Sequence, residues 1–180
     1  MNDYIKSDLY RYYGKCNAKT FIKAMVKNST FRFQYVLRLR QSKGFEKIVG
    51  RLLWLFNLTK HKIQIHPKTK IGYGLYIAHG GPVVISESAI IGNNVNLSQF
   101  TTIGSNHEKA AIIGDNVYIG PNVCIVEDVV IGNNVTIGAG SVVTKSIPDN
   151  ATAVGNYAKV INKNNPGRYI GNRWEKHLKL

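Results

Sequence analysis

Residues 111–143 read AIIGDNVYIGPNVCIVEDVVIGNNVTIGAGSVV, with an aliphatic residue at every sixth position: Ile113, Ile119, Ile125, Ile131, Ile137 and Val143. A period of six fits neither the 3.6-residue turn of a helix nor the free two-residue alternation of a strand. It fits a short strand plus a corner, repeated, which is a β-solenoid of hexapeptide units. The same beat runs upstream through Ile65, Ile71 and Ile77, then Ile85, Ile91, Leu97 and Ile103, giving thirteen positions in three registers. Glycine follows seven of them. Pairs such as Asn93-Asn94, Asp115-Asn116 and Asn133-Asn134 supply residues that tolerate the left-handed backbone of tight turns. Val95, Thr101, Val117, Val123, Val129, Val135 and Ser141 hold the fifth place, so each unit buries two side chains against its neighbours and is unstable alone. At three units per coil, the thirteen units predict a little over four coils.

Two breaks in the rhythm point to chemistry. The spacing is eight between Ile77 and Ile85, across HGGPVV, and ten between Ile103 and Ile113, across SNHEKAA. A pure spacer needs neither break, and insertions in solenoids gather on a binding face. Each contains a histidine, His79 and His107. His79 is the third residue of its unit and therefore falls at a corner, pointing away from the core.

Length and composition agree with one core and an appendage: 180 residues, 44% hydrophobic and 19% charged, as in an ordinary globular chain. The strongest apolar run, Leu52–Leu58, is far shorter than the ~20 residues of a membrane span. The first residues alternate charge and aromatics where a secretory signal has an apolar stretch, so a cytoplasmic location is expected. Cys16 and Cys124 are too few and too far apart for a disulfide framework or zinc site. The net charge of +14 is concentrated early, with 14 of the 24 Lys and Arg but only 3 of the 10 Asp and Glu in residues 1–64. That basic third carries no zinc-finger, RNA-recognition or basic-zipper signature, so no nucleic-acid partner is expected.

Residues 1–62 predict helices. IKSDLYRYY and TFIKAMVKNSTFRFQYVLRLRQS carry apolar residues at mixed three and four spacings, and GFEKIVGRLLWLFNL aligns Phe45, Ile48, Val49, Leu52, Leu53 and Phe56 on one side. These helices are expected to cap the first coil. The alternative is contact of the helix bearing Lys47, Arg51 and Trp54 with an anionic membrane surface, at the inner membrane face. Residues 163–180 read as a C-terminal tail, forming a short closing helix or strap.

With the repeat established, IQIHPKTKIGYGLYIAHGGPVVISESAIIGNNV and IGAGSVVTKSIPDNATAVGNYAKVI resemble the hexapeptide-repeat acyltransferases, and among them the serine acetyltransferases and their relatives in capsule-polysaccharide clusters. The resemblance spans roughly residues 62–162. It implies a mainly β fold, a left-handed parallel β-helix over residues 63–162 behind the helical region, acetyl-CoA as co-substrate with no metal, and a homotrimer with active sites between neighbouring prisms. His79 matches the family's general base and Glu87 its following glutamate. Gly138, Ala139 and Gly140 match the strand where the pantetheine arm approaches the backbone, with Gly120 below them. Thr144 and Lys145 match a CoA-contacting pair, and Lys159 a basic residue that follows. Ala78, Gly80, Gly81 and His107 fall in the acceptor region. The pattern departs in three places. Gln64 stands where an aspartate partners the base, and Ala78 replaces the aspartate that helps hold the substrate. The long loop, with His107 and Lys109, is out of register with the family's arginine and histidine. Tyr157 also replaces a proline in the CoA segment.

Acetyl transfer to a hydroxyl needs a base, donors for the thioester oxyanion and exclusion of water, and a neutral imidazole serves as the base near pH 7. Gln64 can orient the ring but supplies no charge, which leaves Glu87 as the candidate acid. Serine needs a counter-charge for both its ammonium and its carboxylate. Ala78 removes one, so a neutral sugar hydroxyl on a surface-glycan precursor is the favoured acceptor, with L-serine the alternative. Two other readings stand: a γ-carbonic-anhydrase-like zinc protein, for which His61 and His66 are the available pair, and a non-catalytic scaffold.

Overall fold

The computed structural model describes residues 1–58 and 62–175. Four helices lead: α1 (Asp3–Tyr13), α2 (Ala18–Lys27), α3 (Ser29–Gln41) and α4 (Gly44–Leu58). Fifteen short strands follow. The first coil holds β1 (Ile63–Ile65), β2 (Lys70–Ile71) and β3 (Tyr76–Ile77); the second β4 (Val83–Ile85), β5 (Ile90–Ile91) and β6 (Asn96–Leu97). The third holds β7 (Thr102–Gly104), β8 (Ile112–Ile113) and β9 (Tyr118–Ile119); the fourth β10 (Cys124–Val126), β11 (Val130–Ile131) and β12 (Thr136–Ile137). The last coil holds β13 (Val142–Val143) and β14 (Thr152–Val154), against which β15 (Lys159–Asn162) runs antiparallel.

All other pairings are parallel, one coil on the next, and they form three faces. The first face is β1-β4-β7-β10-β13, the second β2-β5-β8-β11, and the third β3-β6-β9-β12-β14-β15. The fold is a left-handed β-helix of about five turns. The fifth turn is completed, beyond the expected four and a little, because the inward beat continues past Val143 through Ile147 and Ala153, 4% and 0% exposed. The step from Val143 to Ile147 is only four residues, with Pro148 next, which hides the last coil from a search for a period of six.

A solenoid end is an open strand edge whose backbone groups need partners. Here side chains of α1 and α3 supply them. Asp8 accepts from Leu75 N–H (2.9 Å) and Ser7 Oγ from Gly74 N–H (2.8 Å). Gln34 donates to Leu75 O (2.7 Å), and Arg38 to Ile71 O (3.0 Å) and Gly72 O (2.7 Å). The Tyr12 hydroxyl lies 2.9 Å from Ile77 O and accepts from Ile77 N–H at 3.2 Å. Arg38 also grips Asp8 through two bonds of 2.8 and 3.1 Å, with both side chains buried. Phe33 and Leu37 of α3 join the solenoid core, while Ile5, Leu9, Ala24, Phe31 and Leu39 form a second core among the helices.

The sequence-expected second helix is two helices. Asn28 is extended (φ −120°), closes α2, and its side-chain oxygen accepts from Phe31 N–H at 3.0 Å to open α3. In α4, Trp54 and Val49 face inward against the two cores. Phe45, Ile48, Leu52 and Leu53 face solvent, contrary to the expected packing of that row; the Phe56 side chain lies outside the described part. The C-terminal tail is a strap with no helix through residue 175. It descends the third face: Gly167 N–H donates to Asn134 O (2.8 Å), Tyr169 packs on Tyr118, and Trp174 pairs with Asn94 before its ring meets Tyr10 of α1 edge-on.

Candidate active site

The corners stack into three edges, and the sequence-predicted residues sort onto two of them. The edge from the third face to the first holds Ala78, His79, Gly80 and Gly81 after β3, Gly120 after β9, and Gly138, Ala139 and Gly140 after β12. Lys159 opens β15 just beyond the last corner of this edge. The edge from the first face to the second holds Glu87 after β4, the loop with His107 and Lys109 after β7, and Thr144 and Lys145 after β13. Within one chain, then, Glu87 does not accompany His79. It pairs with His66 Nδ1 (3.2 Å) and Lys68 Nζ (3.2 Å) one coil below. Gln64 projects outward from β1, directly beneath β4, the strand into which the His79 corner runs. His107 lies 3.9 Å from Glu127, and Ser105 donates to that carboxylate at 2.7 Å.

The two extra residues at His79 have a local consequence. His79 (φ 60°) and Gly80 (φ 65°) are consecutive left-handed residues, a conformation that histidine adopts more readily than most side chains. The peptide closes a tight turn through Gly80 N–H to Ala78 O (2.9 Å), and the exposed imidazole stands off the corner. It borders a pocket of about 210 Å³ lined by Tyr12, Lys27, Asn28, Ser29, Thr30, Tyr76 and Gly80. Sequence reasoning missed this wall, because the α2–α3 junction that forms it lies about 50 residues upstream of His79 and carries no periodic signal. Burial pushes the Tyr12 hydroxyl well above the usual tyrosine range, so it remains a neutral hydrogen-bonding group. One coil above Gly81, the Gln99 side-chain oxygen is buried without a partner among the described residues.

The glycines on this edge differ in what they do. A side chain on Gly120 would meet Ala139 N and Ile137 O at 2.9 Å, so that glycine serves the stacking of coils. Gly140 (φ 69°) has nothing within 4 Å and leaves the edge open. Among the described residues no three His, Cys, Asp or Glu side chains gather as metal ligands; His61 lies outside them.

Comparison with known proteins agrees with this geometry. The bacterial transferase hexapeptide (six repeats) family model matches residues 110–145. The crystal structure of Neisseria gonorrhoeae serine acetyltransferase in complex with serine superposes with a TM-score of 0.73 at 30% identity, covering 88% of this chain and 67% of that one. The chain belongs to the hexapeptide-repeat acyltransferases, as a serine acetyltransferase-like member. Serine acetyltransferase of Brucella abortus in complex with coenzyme A gives a TM-score of 0.73 at 26% identity, covering 88% and 66%. Staphylococcus epidermidis serine acetyltransferase is 40% identical over 117 residues, 63% of this chain and 54% of the relative. Mitochondrial serine acetyltransferase 3 of Arabidopsis thaliana is 43% identical over 109 residues, 58% and 28%. This member thus spans between a quarter and just over half the length of those curated relatives.

Proposed function

We propose that the protein is an acetyl-CoA-dependent O-acetyltransferase with His79 as general base and L-serine as acceptor, in place of the sugar favoured from sequence. One observation carries the reading: His79 stands at the corner where the repeat is broken, facing a pocket, on the same edge as the corner that Gly140 leaves open. The thioester of acetyl-CoA would lie along that edge. His79 takes the proton of the acceptor hydroxyl as its oxygen bonds to the thioester carbonyl carbon. The tetrahedral intermediate collapses, the carbon–sulfur bond breaks, and the thiolate takes the proton back from the imidazolium. Lys27, on the pocket wall, offers a counter-charge for a serine carboxylate. The serine and coenzyme A complexes of the similar structures support this choice of acceptor and donor.

A sugar hydroxyl is the second reading, and one observation favours it: the residues lining the pocket include a cation but no carboxylate for an ammonium group. Assembly bears on the point. Ile90, Ile112 and Val130 form an outward apolar column on the second face, 37–48% exposed, which supports a homotrimer. Side-by-side packing would bring one chain's edge with Glu87, His107, Thr144 and Lys145 toward the next chain's edge with His79.

Thiol release from acetyl-CoA, measured against L-serine and a panel of sugars and nucleotide sugars, tests the reading. The expected result is turnover with serine, lowered ~10²–10⁴-fold in His79→Ala. Turnover on a sugar alone would replace the acceptor, and undiminished turnover in His79→Ala would remove the base.

A further inference from the structure

From the outer surface of the helical cap, we infer that this end of the molecule docks on an anionic phospholipid bilayer. α4 presents Phe45, Ile48, Leu52 and Leu55 to solvent at 78%, 55%, 65% and 70% exposure. Their spacing of three, four and three residues places them in one row along the helix. α2 presents Ile22 and Val26, 62% and 70% exposed. Between the two helices, floored by Tyr35 and Leu39 of α3, runs a groove of about 790 Å³ whose walls include Phe21 and Phe45. So many large apolar side chains left exposed on two neighbouring helices of the cap are uncommon on a protein that meets only water.

The charges beside it select the occupant. Lys19 and Lys23 lie on the same face of α2 as Ile22 and Val26, and Lys47 and Arg51 lie beside the α4 row. All four are exposed. The acidic side chain in α4, Glu46, is already held by Asn2 (3.0 Å) at the junction with α1. An apolar row flanked by lysine and arginine is the chemistry of a helix lying in a bilayer interface, with ring and aliphatic side chains among the acyl chains and cations at the headgroups. Phe45, Ile48, Leu52 and Leu55 are not among the residues lining the His79 pocket, so docking through the α4 row does not cover it.

Flotation with phosphatidylglycerol/phosphatidylcholine vesicles and with pure phosphatidylcholine vesicles tests the inference on the full chain. The protein should float with the anionic vesicles at low salt, and much less with neutral vesicles or in 0.5 M salt, about three times physiological ionic strength. Phe45→Ser/Leu52→Ser and, separately, Lys47→Glu/Arg51→Glu should each lower vesicle affinity at least tenfold, with the thermal transition and the turnover in solution unchanged. These residues lie outside the active site, so the outcome is independent of the acceptor question. No flotation, or flotation insensitive to both double variants, would overturn the inference. So would a fall in sedimenting mass in Phe45→Ser/Leu52→Ser, because the row would then be buried between protein chains.

Discussion

Replacing Arg38 by methionine removes the centre of the seal over the first coil. The side chain is 2% exposed and bonds Asp8 twice, Ile71 O and Gly72 O. Breaking a buried pair from one side costs about 3–5 kcal/mol, because the other charge is left without a partner. The orphaned Ile71 carbonyl adds about 1 kcal/mol. The variant should therefore lose about 4–6 kcal/mol, a large fraction of the 5–15 kcal/mol typical of a folded domain. Urea unfolding followed by Trp54 fluorescence, at fixed protein concentration because assembly shifts apparent stability, measures the loss. Arg38→Met/Asp8→Asn keeps an oxygen for Leu75 N–H while removing the stranded charge, and should recover about 2 kcal/mol. Acidity gives a second reading. Burial raises the Asp8 carboxyl above its ordinary value even against the pull of Arg38, and losing Arg38 raises it further. A carboxyl raised on folding adds stability that is full below its unfolded value and lost as pH rises through the folded one. Arg38→Met should accordingly be less damaging near pH 4 than near pH 8. A loss below about 1 kcal/mol, a pH-independent loss, or strict additivity in the double variant would refute the picture of a buried, coupled seal.

Two further outcomes are expected. Asn134 (φ 56°) sits in the ladder Asn94–Asn116–Asn134–Asn150, whose side-chain bonds run 3.2, 3.1 and 3.0 Å; Asn134→Ala should lower thermal stability by about 1 kcal/mol more than Asn134→Gly, since both lose the ladder and only alanine resists the left-handed backbone. The Ser105 hydroxyl, the largest influence on Glu127, holds its carboxyl below the ordinary range, so its contribution to stability is present above the unfolded value and lost as pH falls through the folded one; in Ser105→Ala, an NMR titration should find the carboxyl back near that range.

The repeat was legible because each unit packs only on its neighbours, so one buried aliphatic residue per six is a local rule written into the chain. Ile113 to Val143 show it without exception. What the rule leaves out is long-range. Asp8, Gln34 and Arg38 look in sequence like ordinary polar positions on amphipathic helices, yet all three are buried, because their partners are backbone groups of residues 71–75 that no pattern announces. The same reason hid Tyr12, Lys27 and Thr30 from the His79 pocket. Glu87 shows the opposite limit. Eight residues from His79 in the chain, it lies a whole face away, since β4 intervenes and turns the next corner onto another edge.

The same geometry explains why the chemistry sits where the rhythm fails. On a regular corner the residues are committed to stacking: a side-chain carbon added to Gly120 would meet Ala139 N and Ile137 O at 2.9 Å, and Thr101 and Ser141 turn back to bond the carbonyls of Ser98 and Gly138. A functional group there would have to leave the stack to reach a substrate, breaking contacts in both adjoining coils. Two inserted residues remove that conflict, because the strands β3 and β4 keep their register with β6 and β7 while the backbone between them rises off the edge. His79 then stands clear of the stack, exposed at the mouth of the pocket. The helical cap completes the arrangement, since the Tyr12 hydroxyl that bonds the end of β3 belongs to the same wall that faces the imidazole. Sealing the solenoid and shaping the pocket are therefore one structural task, and substitutions in α1 or the α2–α3 junction should be read for their effect on both.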